Sequence, residues 1–311
     1  QYMEDAERWL DYWTDGYQGN QINYTPGGLA WLDQWGALRY AANTSLMAFI
    51  FCDFVSNPAK KEQYYNFAVN QINYALGNNP ANRSFVVGFG NNPPKNPHHR
   101  TAHGTWTNNL RNPEESRHIL YGALVGGPDL SDTYVDDRGD YIANEVATDY
   151  NACFSGALAK MVEDFGGQAL PEFPIPELPE DEFFVRVKPN AQTNSFSQIV
   201  INIFNHSAWP ARALSDFSVR YFMDLSEAFA AGFQLSDLYV KLTYGNNITV
   251  GNITQWKEDI YYVEFTFSEK ITPTGESPSR AELQFEVGIS GNVNQGWDAS
   301  YDWSFQGVNN N

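Results

Sequence analysis

The period of the apolar residues changes once along this chain, and the change falls at a proline-rich segment. Gln168–Glu182 carries Pro171, Pro174, Pro176 and Pro179 among Leu, Phe, Ile and acidic residues. Proline lacks a backbone donor and fixes φ, so such a run reads as an extended, stiff connector. Its interleaved Leu170, Phe173 and Ile175 suit a segment that lies against a surface. Before it the apolar residues recur at helical spacing, as in Ala6, Trp9, Leu10 and Trp13. After it they alternate, as in Gln198-Ile-Val-Ile-Asn-Ile-Phe204 and Tyr261-Tyr-Val-Glu-Phe-Thr-Phe267. One chain cannot satisfy both periods in one layer. The pattern therefore predicts three parts: a helical region over 1–167, a connector over 168–182 and a β-sandwich over 183–306.

In the first region, helices are expected over about 36–55, from Pro58 to Gly77 and from about 142 to 165. Proline suits the first helical turn, and glycine suits the residue after the last. Residues 78–140 are rich in Gly, Pro and Asn and read as long loops. Loops of that length in a compact domain are usually functional. In the second region, strands are expected at Phe184–Val187, Gln198–Phe204, Phe217–Phe222, Tyr239–Tyr244, Tyr261–Phe267 and Glu282–Val287.

Nineteen basic against thirty-seven acidic residues leave a net charge of −18. That charge argues against nucleic acid or an anionic membrane as partner and leaves uncharged polymers open. Aromatic residues make up 15% of the chain, including nine Trp. Flat rings cover the apolar faces of sugars, so this content suits a carbohydrate protein, although core packing accounts for much of it. Two cysteines, Cys52 and Cys153, are too few for a disulfide framework and read as buried thiols.

Chemistry concentrates in two stretches. Four of the five histidines lie between His98 and His118, and Pro97-His98-His99-Arg100 begins that patch. About forty residues later comes Tyr134-Val-Asp136-Asp-Arg-Gly-Asp140-Tyr141-Ile-Ala-Asn-Glu145-Val-Ala-Thr-Asp-Tyr150-Asn151. Glu145, at the start of a predicted helix among aromatic and acidic neighbours, suits a proton donor. The alternative is a glutamate that interacts with the helix dipole. The histidines lack a standard zinc spacing with cysteine, so His99 and His103 are expected to hold the loop.

The spacing of Tyr134, Asp136, Tyr141, Glu145, Asn151 and Ala152 resembles the second active-site signature of glycoside hydrolase family 9. Ser84-Phe-Val-Val-Gly88 through His98-His99-Arg100 resembles the first. Tyr24–Tyr40 and Tyr121–Pro128 are similar to other segments of that family, and residues from 183 on resemble a family 3 carbohydrate-binding module, most clearly at Tyr221–Ser226. The resemblance implies part of an (α/α)6 barrel followed by a jelly-roll-like β-sandwich, acting on cellulose or another β-1,4-glucan. It implies a secreted endoglucanase, with processive action open, that inverts configuration. Glu145 would be the general acid. Asp136 would orient or tune the site, or simply cap backbone amides. His98, Arg100, Trp35, Arg39 and Tyr40 would contact substrate, with Trp35 stacked on a glucose ring. Tyr150 would face the cleft. In the β module, Asp224, Asp298 and Asp302 would supply oxygen ligands to a structural calcium ion.

One departure matters. The family's catalytic base belongs to an Asp-Ala-Gly-Asp motif, and that motif does not occur in this sequence. The expectation is that the base, a second calcium site and the remaining barrel helices lie on a missing N-terminal part of the catalytic domain. A fragment that binds cellulose without cleaving it is the alternative.

Overall fold

The computed structural model describes residues 1–311 except 106–108, 179–180, 208–209, 274–279 and 309–311, so Pro179 of the connector lies outside the described residues. The chain divides into two compact units, one of Gln1–Thr105 with Asn109–Leu178 and one reaching Asn311 from Pro179.

The first unit is built on helices α1 (Tyr2–Trp13), α2 (Ala37–Phe51), α3 (Pro58–Leu76), α4 (Arg100–His103) and α5 (Thr148–Phe165). Helix α2 is the centre, packed against both α3 and α5. Its small residues Ala41, Ala42, Ser45 and Ala48 are buried, which allows neighbouring helices to approach closely. Helix α3 begins where expected. The Asn57 side chain accepts from the backbone N–H groups of Ala59 and Lys60, and Pro58 occupies the first turn. Such a cap is worth about 1 kcal/mol. A two-stranded ribbon, β1 (Asn23–Tyr24) with β2 (Ala30–Trp31), precedes α2.

Two expectations are corrected here. Helix α2 ends at Phe51, four residues short of the predicted Val55. Helix α5 starts at Thr148 and not near Ile142, so Glu145 lies outside it. The Asp140 carboxylate accepts from the N–H groups of Ile142 and Ala143, both at 3.1 Å, closing a separate turn. Ala147 is then fully extended, at φ −152° and ψ 163°. Cys52 is buried as expected, whereas Cys153 is only partly so; both are free thiols.

The connector up to Leu178 belongs to the helical unit. The Glu177 carboxylate lies 2.8 Å from His118 Nδ1 and accepts from the Ile119 N–H at 2.9 Å. The Phe173 ring packs edge-on against Tyr121 at 5.2 Å.

The second unit contains two antiparallel sheets. One has the order β3 (Phe183–Gln192), β4 (Phe196–Asn205), β10 (Arg280–Ile289), β6 (Leu238–Tyr244). The other places β9 (Ile260–Phe267) beside β5 (Phe217–Asp224), β7 (Ile248–Val250) and β8 (Thr254–Lys257). A short helix, α6 (Ser226–Ala230), follows β5. Ile199, Ile201 and Ile203 of β4 and Leu283, Phe285 and Val287 of β10 share one core with Tyr221, Met223, Val263 and Phe265 of the other sheet. Phe285 touches both Phe265 and Tyr221, with ring centroids 4.6 and 5.2 Å apart. The arrangement is that of a β-sandwich. Pro189 lies on the edge strand β3, at a register shift, where its missing donor does no harm.

Candidate active site

Glu145 is carried on an extended stretch that meets His98 in an isolated parallel bridge. The His98 N–H donates to the carbonyl of Asn144 at 2.8 Å. Asn144 is fully buried, accepts from the Tyr134 hydroxyl and donates to the Val135 carbonyl. A buried amide with its donors and acceptors met holds backbone rigidly. The Glu145 carboxyl is half-buried, and its Oε2 accepts two hydrogen bonds. Trp35 Nε1–H donates at 2.6 Å and the Tyr150 hydroxyl donates at 2.7 Å. Burial first, then the Glu145 carboxyl, pushes the Tyr150 phenol well above its ordinary range, so it stays a neutral donor. Gly36 makes room for it. A Cβ there would fall 2.9 Å from the Tyr150 hydroxyl, and the backbone is left-handed at φ +77°.

Tyr150 is 1% exposed, and its hydroxyl reaches the site through Glu145. Trp35 is 42% exposed and packs at 5.5 Å on Tyr141, itself 50% exposed. Tyr141 also meets the His98 ring edge-on at 6.1 Å. Arg39 pairs with Asp149 at 3.1 Å, donates to the Tyr40 hydroxyl at 2.8 Å and lies over the Tyr40 and Tyr150 rings. Arg100 is exposed at the start of α4. A cavity of about 420 Å³, bordered by His99, Tyr121, Val146 and Asn151, flanks the Glu145 segment.

Asp136 is engaged by backbone amides. Its two oxygens accept from the N–H groups of Lys95 and Asn96 at 2.9 and 3.0 Å, so it caps the loop that leads to His98. Arg138, absent from the sequence reading, performs the larger task. It is 2% exposed and donates to the carbonyls of Leu110 and Glu114, to Asn96 Oδ1 and to Ser116 Oγ. Its own carbonyl lies 2.8 Å from His98 Nδ1, an acceptor that places the proton of a neutral imidazole on Nδ1 and turns Nε2 outward as an acceptor. The only sequence signal was three charged residues, Asp136, Asp137 and Arg138, in a loop. His99 caps α4 by accepting from the Ala102 N–H, and buried His103 bonds the Pro113 carbonyl. Both histidines serve the loop.

In the β unit, Asp302 is 1% exposed; its carboxylate accepts from the Tyr221 hydroxyl and the Asp224 N–H at 3.0 and 2.9 Å. Burial pushes its pKa up to about 8. The Asp224 and Asp298 side chains each accept a nearby backbone N–H. Glu227, missed in the sequence, is held above its usual range by burial and by Asp224 and Asp298, and its Oε2 is buried with no hydrogen-bond partner. It borders a cavity of about 560 Å³ with Asp298 and Trp297. Among the described residues, no three His, Cys, Asp or Glu side chains form a metal-binding group on their own.

The family model described as Glycosyl hydrolase family 9 matches residues 1–158. The chain belongs to glycosyl hydrolase family 9. A second model, Cellulose binding domain, matches residues 184–311. Endoglucanase A of Bacillus pumilus is 50% identical over 100% of this chain and 48% of its own length. Endoglucanase B of Cellulomonas fimi is 46% identical over 99% of this chain and 29% of its own length. The crystal structure of endoglucanase CelQ from Clostridium thermocellum, complexed with cellotetraose, aligns with a TM-score of 0.95 and 47% identity, covering 99% of this chain and 52% of that one. The family 9 chain described here thus spans about half the length, or less, of the relatives it matches. Among the described residues no helix is long and apolar enough to cross a membrane.

Proposed function

We propose that this chain supplies the general acid, one side of the cleft and an accessory glucan-binding module of an endoglucanase that hydrolyses β-1,4-glucosidic bonds with inversion. The observation that carries the proposal is the pair of donors on one oxygen of Glu145. With Oε2 engaged by Trp35 and Tyr150, Oε1 is the oxygen left to pass a proton to the departing glycosidic oxygen. The exposed indole of Trp35 and phenol of Tyr141 cover sugar ring faces, and His98 Nε2 accepts from a hydroxyl. An inverting mechanism needs a second carboxylate roughly 6.5–9.5 Å away to activate water from the opposite side. That base and the other barrel helices belong, in this reading, to further polypeptide of the same catalytic domain. Ile50, Val162 and Phe165 on the helices, and Phe54 just beyond α2, are 54–63% exposed and fit burial against it. Cellulose is the substrate favoured by the relatives' names and by the cellotetraose complex of CelQ. Secretion follows from an insoluble polymeric substrate.

Glu145→Gln, assayed on carboxymethyl cellulose with the complete catalytic domain assembled, should lower turnover by about 10³-fold or more, because a general acid contributes about 10²–10⁴-fold. Binding of cello-oligosaccharide should persist. Retained activity would remove Glu145 from the role. An inactive wild-type assembly that still binds cellulose would favour the non-catalytic reading.

Calcium in the β module is part of the same proposal. Of the expected ligands Asp224, Asp298 and Asp302, no three carboxylates converge among the described residues; the orphaned Glu227 Oε2 would offer one further oxygen to a hard cation, and backbone carbonyls would have to supply much of the shell. Asp302 braces Asp224 through its backbone N–H. The ion would cross-link the α6 turn to the segment around Asp298, and melting of the module with calcium and with chelator tests it.

A further inference from the structure

One short segment holds His98 twice. The His98 backbone N–H donates to the Asn144 carbonyl at 2.8 Å, and ring nitrogen Nδ1 lies 2.8 Å from the Arg138 carbonyl. A carbonyl only accepts, so the proton position on the ring depends on where that carbonyl stands. Residues 133–140 belong to no helix or strand, so no regular ladder fixes it. The Arg138 side chain does. Its Nη1 donates to the carbonyls of Leu110 and Glu114 at 3.0 and 3.1 Å. Its Nη2 donates to Asn96 Oδ1 at 2.7 Å and to Ser116 Oγ at 3.0 Å. These acceptors lie 22–42 residues away in sequence, and Asn96 stands two residues before His98. One buried guanidinium thus grips both the approach to His98 and the turn that faces its ring. A lysine, with one nitrogen and three donors, cannot reach four acceptors spread over two loops. On the same turn, partly exposed Asp137 pairs with exposed Arg111 at 2.8 Å, a kind of pair that contributes little.

We propose that Arg138 is a positioning residue for the hydrolysis and acts through His98. The inference rests on the reading of His98 Nε2 as the acceptor of a sugar hydroxyl. At 2% exposure Arg138 cannot meet a glucan itself. Its guanidinium fixes the carbonyl, the carbonyl holds the ring proton on Nδ1, and Nε2 keeps its lone pair for a hydroxyl hydrogen. With the carbonyl displaced, the ring can carry its proton on Nε2 instead, and the hydroxyl must turn to accept. The sugar then loses one fixed orientation beside Glu145, and orientation at the reacting bond sets much of the rate.

The test is a double-mutant cycle on kcat/KM for cello-oligosaccharide hydrolysis, with the complete catalytic domain assembled. His98→Ala and Arg138→Lys should each lower kcat/KM by about tenfold to a hundredfold. The double variant should stay within about twofold of His98→Ala, because the arginine works through the imidazole. Nitrogen-15 NMR of the histidine-labelled assembly should show the His98 proton on Nδ1 in the wild type and a mixture of tautomers in Arg138→Lys. Ser116→Ala, which removes one of the four acceptors, should move both readouts the same way by less and serves if the lysine variant does not fold. Asp137→Asn should move neither. Losses that multiply in full would overturn the proposal, since a general loosening of the loop needs no His98. A wild-type His98 with its proton on Nε2 would overturn it without any variant. If His98→Ala alone leaves kcat/KM unchanged, the sugar-contact reading of His98 fails and the proposal with it. Multiplying losses with an impaired His98→Ala leave that reading standing and remove only Arg138.

Discussion

The helical unit and the β unit solve the same problem to different extents. In the β unit both sheets turn one face inward, and the β4, β10, β5 and β9 side chains close over one core. The helical unit has a core of similar kind around α2, yet it leaves Tyr2, Met3, Trp9, Met47, Ile50, Phe54, Val162 and Phe165 between 45% and 90% exposed. A sandwich is complete with two sheets. A ring of helices is complete only when every helix has its neighbours. If the proposed reading holds, the two units differ in where their cover comes from: the sheets cover each other, and the helices await further polypeptide.

The strongest way to break this contrast is to separate the units. A fragment from residue 181 on should give a single cooperative thermal transition. Residues 1–178 alone should bind a hydrophobic dye and melt without a sharp transition, then gain one when the rest of the catalytic domain is supplied. Sharp unfolding of 1–178 by itself, followed by circular dichroism, would show that its exposed apolar face needs no cover.

Much of this division was legible in the sequence. The change of period marked the two units, and Pro58 and Gly77 marked α3 because such signals act within a few residues. The strands β7 and β8 were missed, since three or four residues show no period. The start of α5 was misplaced for a different reason. Ile142 and Val146 continue a helical spacing, but the bridge to His98, far away in sequence, decides the backbone there. The site shows the same limit. Its signature residues were found through family resemblance, whereas the Trp35 bond to Glu145 spans 110 residues and has no local signal. Glu227 was passed over because nothing nearby in sequence shows that one of its oxygens is buried without a partner.

A smaller effect sharpens the contrast from the side of the β unit. If calcium ties Glu227 to Asp224 and Asp298, calcium at a hundredfold its Kd adds about 2.7 kcal/mol to folding. For a domain of this size that raises Tm by roughly 10 °C. The shift should appear in the isolated β unit, vanish with chelator and shrink in Glu227→Gln. An unchanged Tm across a calcium titration would remove the ion from the module and leave the Glu227 oxygen unexplained.

The smallest effect should come from acid and should fall on the other unit. His99 and His103 have their pKa values lowered from an ordinary 6.5, in both cases mainly by burial, with Arg138 adding to the effect at His103. A depressed imidazole binds fewer protons folded than unfolded. Its contribution is therefore present above pH 6.5 and is lost as the pH falls from there through the folded values. Each unit of depression corresponds to about 1.4 kcal/mol. Between pH 7.5 and 5.5, hydrogen exchange corrected for its intrinsic rate should quicken by roughly threefold to tenfold in the described residues of the 96–118 loop. Four of the five histidines lie in that stretch, and the β unit holds only His206. The strands should therefore keep their protection. Equal loosening of both units would mean that acid acts through carboxylates common to both, and would detach the loop's stability from the two imidazoles that brace it.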